Sequence, residues 1–278
     1  MRWLTYDLPP QRAGATVIGQ LELENAGSAA WRSRPGSDIH LSYHWLDLRG
    51  NPIVWAGAFI LLPSRVAAGE RVTVWVTVRA PTPPGTYRLA FDLVNEGRYW
   101  FQELGNQRLE LDVQVLPRIT RRALAVAVAP GDSALEAATA AALERQDEPI
   151  ALADAEATAH LLAGCRPARD WSRRVLDAHE EGFEVVGGAI EVEGGVFERR
   201  SRARELAAWR PGFGRAPGWT LPFLCPSILA GVETQPVSGP AGLPAVEPAG
   251  LGGLSLCDGR IRVSAPARAL RPAGRRRA

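Results

Sequence analysis

From Val17 to Val115 the chain places apolar side chains at every second position, and this period of two restricts its fold more than any other feature. Val17, Leu21 and Leu23 share one face against Gln20, Glu22 and Glu24, and Asn25-Ala26-Gly27 ends the run. The stretch Ile39 to Val54 holds a tryptophan-bearing strand, a Gly-Asn-Pro turn and a second strand. In its first strand Ile39, Leu41, Tyr43 and Trp45 lie on one side, with His40, Ser42 and His44 on the other. Val72, Val74, Val76 and Val78 form a third row, with Thr73, Trp75 and Thr77 outward. Tyr87, Leu89, Phe91 and Leu93, then Leu109, Leu111, Val113 and Val115, close the set before Pro117. Short alternating strands joined by Gly/Pro turns predict an antiparallel, immunoglobulin-like β-sandwich over residues 1–117. Pro84-Gly85-Thr86-Tyr87 has the form of an approach to a corner tyrosine whose hydroxyl ties back to the backbone.

The ordered series Asn25-x-Gly27, Trp31, Leu41-Ser42-Tyr43-His44-Trp45, Gly50, Leu62-Pro63, Gly69-Glu70, Ala80-Pro81, Pro84-Gly85-x-Tyr87 and Trp100-Phe101 is similar to the four-tryptophan Ig-like domain. That family occurs in autophagy receptors and, in bacteria, attached to sugar-processing and methyl-transferring enzymes. The resemblance covers nearly all of the first domain and implies a non-catalytic recognition or scaffold module.

Independently of that resemblance, His40 and His44 are four residues apart on one strand, roughly 13 Å. They cannot share a metal ion, and the pattern places them on the surface. Trp45 is in phase with the apolar row and belongs to the core. Trp75 is out of phase with its valines and is the best candidate for an exposed aromatic; packing against a neighbouring element and stacking on a ligand both remain open. Trp100 and Phe101 are adjacent, so they point to opposite faces. Trp75, Trp100 and Phe101 together form the expected binding surface, with no metal site.

At 278 residues there is room for two domains, taking roughly 100–200 residues for each. A net charge of +2 gives no field that would draw nucleic acid, and every basic residue is arginine, as GC-rich bacterial coding produces. Cys165, Cys225 and Cys257 share no C-x-x-C spacing, so no disulfide framework is expected and a reducing cytoplasm fits. No apolar run approaches the ~20 residues of a membrane helix, and the start lacks the apolar core of a signal peptide.

Residues 118–122 read as a short basic linker, and the pattern then changes. Ala123 to Ala129 is a small-apolar run of the kind buried on both faces of a parallel sheet. Ser133 with Glu136 forms a capping-box pattern before an alanine-rich helix to about Arg145. Strands follow at Ile150 to Asp154 and Thr158 to Leu162, then a helix from Asp170 to Gly182, a strand from Phe183 into Gly187-Gly188, and a charged helix from Phe197 to Trp209. This alternation predicts a small α/β domain over residues 123–265. Residues 266–278 form a basic tail expected to be disordered.

The order of these elements, with Leu161-Leu162-Ala163-Gly164-Cys165-Arg166-Pro167-x-x-Asp170-Trp171 and Val185-Val186-Gly187-Gly188, resembles a truncated family 2 glycosyltransferase of the GT-A, Rossmann-like type. The resemblance implies nucleotide contacts from Asp154, at the end of the second strand, and from Arg166. The family's paired metal-binding aspartates are replaced by Ala163, Gly164 and Cys165, which offer no carboxylate for a divalent ion. Glu233 and Asp258 are the residual candidates for an acidic base, and neither has an acidic neighbour. Gly187-Gly188 and Gly194-Gly195 read as tight turns, because a dinucleotide fingerprint needs a different spacing. Cys165 beside Arg166 reads as a buried structural cysteine rather than a nucleophile.

Three functions are compatible with the sequence. The first is a non-catalytic accessory or recognition protein of bacterial surface-glycan assembly, with no cofactor, whose partner is a glycan or a glycan-assembly enzyme. The second is a metal-independent glycosyltransferase using a nucleotide-sugar. The third is a protein-interaction adaptor.

Overall fold

The computed structural model describes residues 1–34, 37–63, 65–151, 155–196, 199–200, 214–215, 223–239, 242–248 and 254–266. The chain divides into two compact units, Met1–Arg118 and Ile119–Ala278.

The strands of the first unit are β1 (Arg2–Asp7), β2 (Thr16–Glu24), β3 (Ser33–Arg34), β4 (Ser37–Leu46), β5 (Pro52–Val54), β6 (Ile60–Leu61), β7 (Arg71–Arg79), β8 (Gly85–Asn95), β9 (Tyr99–Trp100) and β10 (Leu109–Val115). They form two antiparallel sheets. One has the order β1-β2-β7; the other runs β10-β8-β4-β3, with β5 and β6 on β4 and β9 on β8. The valine row of β7 and Leu21 and Leu23 of β2 pack against Leu41, Tyr43, Trp45, Leu89, Phe91 and Leu93 of the larger sheet. The period-two rows therefore become the two inner faces of an Ig-like sandwich.

Polar ties lock the sandwich. The Trp45 indole N–H donates to the Arg79 carbonyl at 2.9 Å, and the Tyr43 hydroxyl accepts from the Arg79 N–H at 3.1 Å. Asn25, fully buried, donates to the carbonyls of Ala29 and Val66 and accepts from the Gly27 N–H. The Tyr87 hydroxyl donates to the Pro83 carbonyl at 2.6 Å, which is the corner its sequence context predicts.

The second unit corrects the expected α/β domain. Of the described residues half are strand and 13% helix, with two α-helices, α1 (Ser133–Leu143) and α2 (Trp171–Glu180). Its strands are β11 (Leu124–Ala129), β12 (Ile150–Ala151), β13 (Ala157–Leu162), β14 (Arg166–Pro167), β15 (Val185–Glu193), β16 (Gly214–Arg215), β17 (Phe223–Leu224), β18 (Ser227–Leu229), β19 (Thr234–Ser238), β20 (Pro244–Pro248) and β21 (Ser255–Pro266). An eight-stranded mixed sheet has the order β12-β11-β13-β18-β15-β21-β14, with β16 on β21. A separate antiparallel sheet has the order β17-β20-β19. Among the described residues no Rossmann-like α/β layer is evident. β18 enters antiparallel between β13 and β15, which breaks the parallel order that the alternation predicts. The sequence over 211–253 is rich in Gly and Pro, and it hides β17 to β20 because strands of two to five residues carry too few positions to show a period.

Local expectations are corrected in the same way. In β11, Leu124 is fully buried while Val128 is 37% exposed, so the run is not covered on both faces. The cap of α1 is Asp132, which accepts from the Leu135 N–H, while Glu136 accepts from Gly131. Asp170 stands at the start of α2 but its carboxylate takes Arg174 at 2.6 Å instead of a backbone N–H. Gly187 and Gly188 lie within β15, with an irregularity opposite β21 just after Gly188. They are neither turn nor phosphate cradle. A Cβ on Gly188 would collide with the Ile261 carbonyl, so the close approach of β21 requires glycine. Of the basic segment, Arg122 binds Glu148, Asp177 and Glu180, and Glu156 accepts from the N–H groups of Thr120 and Arg121. The helix expected over 197–209 and the basic tail fall largely or wholly outside the described residues.

Candidate recognition site

The outer face of β4 is not open. His40 is 3% exposed and His44 fully buried, contrary to the surface position expected of them. The chain after β5 and the β9 segment fold over this face. Phe59 lies 6.2 Å from His40 between ring centroids, and His44 sits between Trp55 (4.4 Å) and Trp100 (4.3 Å).

The His44 Nδ1–H donates to the Trp55 carbonyl, which can only accept and so fixes the tautomer. The Nε2 lone pair has no hydrogen-bond partner among the described residues. Burial, aided by the charge of Arg108, pushes the His44 pKa down, keeping the ring neutral. Asp92 places the neighbouring chain. Its buried carboxylate accepts from Leu93 at 2.8 Å and from Gln102 at 3.0 Å, fixing the short 3-10 turn Phe101–Leu104 against β8. Burial raises its pKa to about 6, against the pull of those two N–H groups.

Above these groups Trp55, 46% exposed, meets the half-buried Trp100 at 70° with ring centroids 5.9 Å apart. The two rings form an open aromatic corner. Polar groups adjoin it: the Trp100 N–H donates to Glu103, and Arg108 donates to Gln102 at 2.9 Å and pairs with Glu110 at 2.5 Å. Gln102 and Arg108 also line a groove of about 730 Å³ flanked by Trp3, whose indole donates to the Gln107 carbonyl. Aromatic faces beside amide, guanidinium and carboxylate groups suit a ligand with apolar C–H faces and a hydroxylated rim.

The structure distributes the residues singled out in the sequence. Trp100 joins this corner, whereas Phe101 is 8% exposed and packs edge-on against Trp31 at 6.1 Å in the core. Trp75 is 66% exposed, on the outer face of the other sheet. Asp154 lies outside the described residues. Arg166 is ion-paired with Glu193, so an incoming diphosphate would have to displace a carboxylate. Asp258 is held by Arg260 at 2.6 Å, which lowers its pKa. Glu233 is exposed in the turn between β18 and β19. Arg166 pairs with Ser264 and Asp258 is six residues along the same strand, up to roughly 20 Å away. Among the described residues, no group of three or more His, Cys, Asp or Glu could hold a metal ion, and no helix is long and apolar enough to cross a membrane.

Two features had little or no sequence signal. Trp55 follows β5 directly, yet its role depends on the fold of the next loop. The buried Cys165 and Cys225 thiols hydrogen-bond to each other, which pulls Cys165 down and pushes Cys225 up. The two positions lie sixty apart in the sequence, which conceals that pairing.

No protein-family model matches this chain, and no curated protein does. Solved structures give partial likenesses. One is the CARDB domain of a Pyrococcus furiosus protein in complex with di-metal ions, 14% identical over 38% of this chain and 84% of that one, with a TM-score of 0.25. A family 123 glycoside hydrolase from Clostridium perfringens is 10% identical over 42% of this chain and 24% of its own, at 0.24. A PapD-like domain of human CEP192 is 19% identical over 39% and 78%, at 0.18. With TM-scores under 0.5, none of these likenesses assigns a ligand or an activity, and none of the three is a glycosyltransferase.

Proposed function

We propose that this chain is a non-catalytic recognition protein of surface-glycan assembly, and that its first unit binds a glycan at the Trp55–Trp100 corner. The observation that carries this reading is that Trp55, 46% exposed, meets Trp100 at 70°, and that Trp100 leads into the turn carrying Gln102 and Glu103, with Arg108 bound to Gln102. A pyranose presents C–H bonds on one face and hydroxyls at its rim. The ring face of Trp55 takes the first, and the amide, guanidinium and carboxylate groups take the second. The similarity of the first unit to the four-tryptophan Ig-like domain, a module found beside sugar-processing enzymes, points the same way. His44 and Asp92 act as positioning groups, since both are buried and hold the chain that carries the two tryptophans.

The test is calorimetric titration of the full chain with a panel of neutral and acidic oligosaccharides. Trp55→Ala is expected to weaken binding at least tenfold, the equivalent of about 1.4 kcal/mol. Trp75→Ala, on the other sheet, is expected to leave it unchanged. Silence across the panel, or binding indifferent to Trp55, would overturn the reading.

A further inference from the structure

Strand β7 is an edge. In the order β1-β2-β7 it pairs with β2 on one side, and among the described residues no strand pairs with it on the other. The hydrogen bonds show which of its backbone groups face outward. The Asn25 N–H donates to the Glu70 carbonyl and the Ala80 N–H to the Ala15 carbonyl, so even-numbered residues of this strand turn their N–H and C=O toward β2. The odd-numbered residues therefore turn theirs away. Arg79 conforms, since its N–H and C=O are taken by the Tyr43 hydroxyl and the Trp45 indole instead of by β2. Thr73, Trp75 and Thr77 are exposed, and their outward donors and acceptors have no partner among the described residues, the arrangement that invites another strand.

The sequence of this edge is Arg-Val-Thr-Val-Trp-Val-Thr-Val-Arg, which reads identically in both directions about Trp75. An antiparallel strand of the same sequence, related by a two-fold axis through Trp75, would meet it residue for residue. Trp75 would stand opposite the partner subunit's Trp75, and Thr73 opposite the partner subunit's Thr77. Each outward N–H would find a C=O. The aromatic pair and the Thr–Thr pairs are both favourable cross-strand combinations. Beside Trp75 the outer face also presents Ile18, 64% exposed, across from Thr77.

The symmetry of the sequence selects a second copy as the occupant. The two-fold also sets the partner subunit's Arg79 opposite Arg71, an opposition of like charges that Glu24, 3.5 Å from Arg71 and 2.5 Å from Arg2, offsets in part. The geometry points to a homodimer formed by antiparallel β7–β7 pairing centred on Trp75. The interface is isologous, so it closes at two copies instead of propagating into a fibre. It lies on the sheet opposite the aromatic corner and does not depend on glycan binding there.

Sedimentation velocity of the full chain across micromolar concentrations is expected to show a monomer–dimer equilibrium. Trp75→Lys is expected to weaken it at least tenfold, and Thr73→Pro likewise, because that proline removes an outward N–H while the bonds to β2 remain. Circular dichroism reports whether each variant keeps its fold. Register is tested by cross-linking. Opposed residues of a hydrogen-bonded antiparallel pair have Cα atoms about 5.5 Å apart, within disulfide range. Trp75→Cys should therefore give a covalent dimer on mild oxidation with oxidised glutathione. Thr73→Cys alone should not, whereas Thr73→Cys with Thr77→Cys should. A full chain that is monomeric throughout would overturn the proposal, as would a dimer that survives Trp75→Lys, or one that Thr73→Cys traps and Trp75→Cys does not.

Discussion

His179 offers a quantitative test of the second unit. Its imidazole is fully buried on α2, with Nδ1 2.8 Å from the Phe183 carbonyl and Nε2 2.8 Å from the Ser227 hydroxyl. The carbonyl can only accept, so Nδ1 carries the proton and Nε2 accepts from Ser227. The bond to Ser227 ties α2 to β18, the antiparallel strand in the middle of the sheet. Burial is the main cause that lowers the pKa from 6.5 to about 4, against an upward pull from Phe183. Between those two values the unfolded chain binds the proton and the folded chain does not. Stability therefore rises with pH through this window and is lost as pH falls from about 6.5 to about 4. A shift of 2.5 units at about 1.36 kcal/mol each amounts to about 3.4 kcal/mol at most. The assay is urea unfolding followed by circular dichroism at a series of pH values, on the wild type and His179→Gln. The variant loses stability at pH 7, but it has no group to titrate here. The gap between the two proteins should shrink by about 3 kcal/mol from pH 7 to pH 4. A gap that stays constant would refute a buried neutral histidine.

Two further outcomes are expected. In the first unit the sign reverses: the buried Asp92 has its pKa raised from 3.8 to about 6, so that unit should lose up to about 3 kcal/mol as pH rises from about 4 to about 6 and then level off. Thermal melts of wild type and Asp92→Asn should show this window in the first only. Gly188→Ala, which drives a methyl group into the Ile261 carbonyl, should cost about 3 kcal/mol or more in urea unfolding, whereas Gly195→Ala, with open space around it, should be neutral.

The sequence by itself determined the first unit to a large extent. A period of two is a local property, and once the rows at 17–23, 39–45, 72–78, 87–93 and 109–115 are present, two packed antiparallel sheets are the economical way to cover them. The Tyr87 corner and the buried Trp45 were legible for the same reason. Only the tertiary structure decided what lies over those rows. His40 and His44 alternate outward like any solvent-facing residues, yet loops distant in sequence bury them beneath Phe59, Trp55 and Trp100. In the second unit, local β/α alternation predicted a layered α/β sheet, and the caps of its two helices could be placed to within a residue. Strand neighbours, however, are chosen by long-range pairing. β18 inserts between β13 and β15, and β21 pairs with β15 through a contact that only Gly188 permits. Which edge of β7 is left unpaired is decided in the same way, because a strand's own residues specify its two faces but not the chain that will lie beside it.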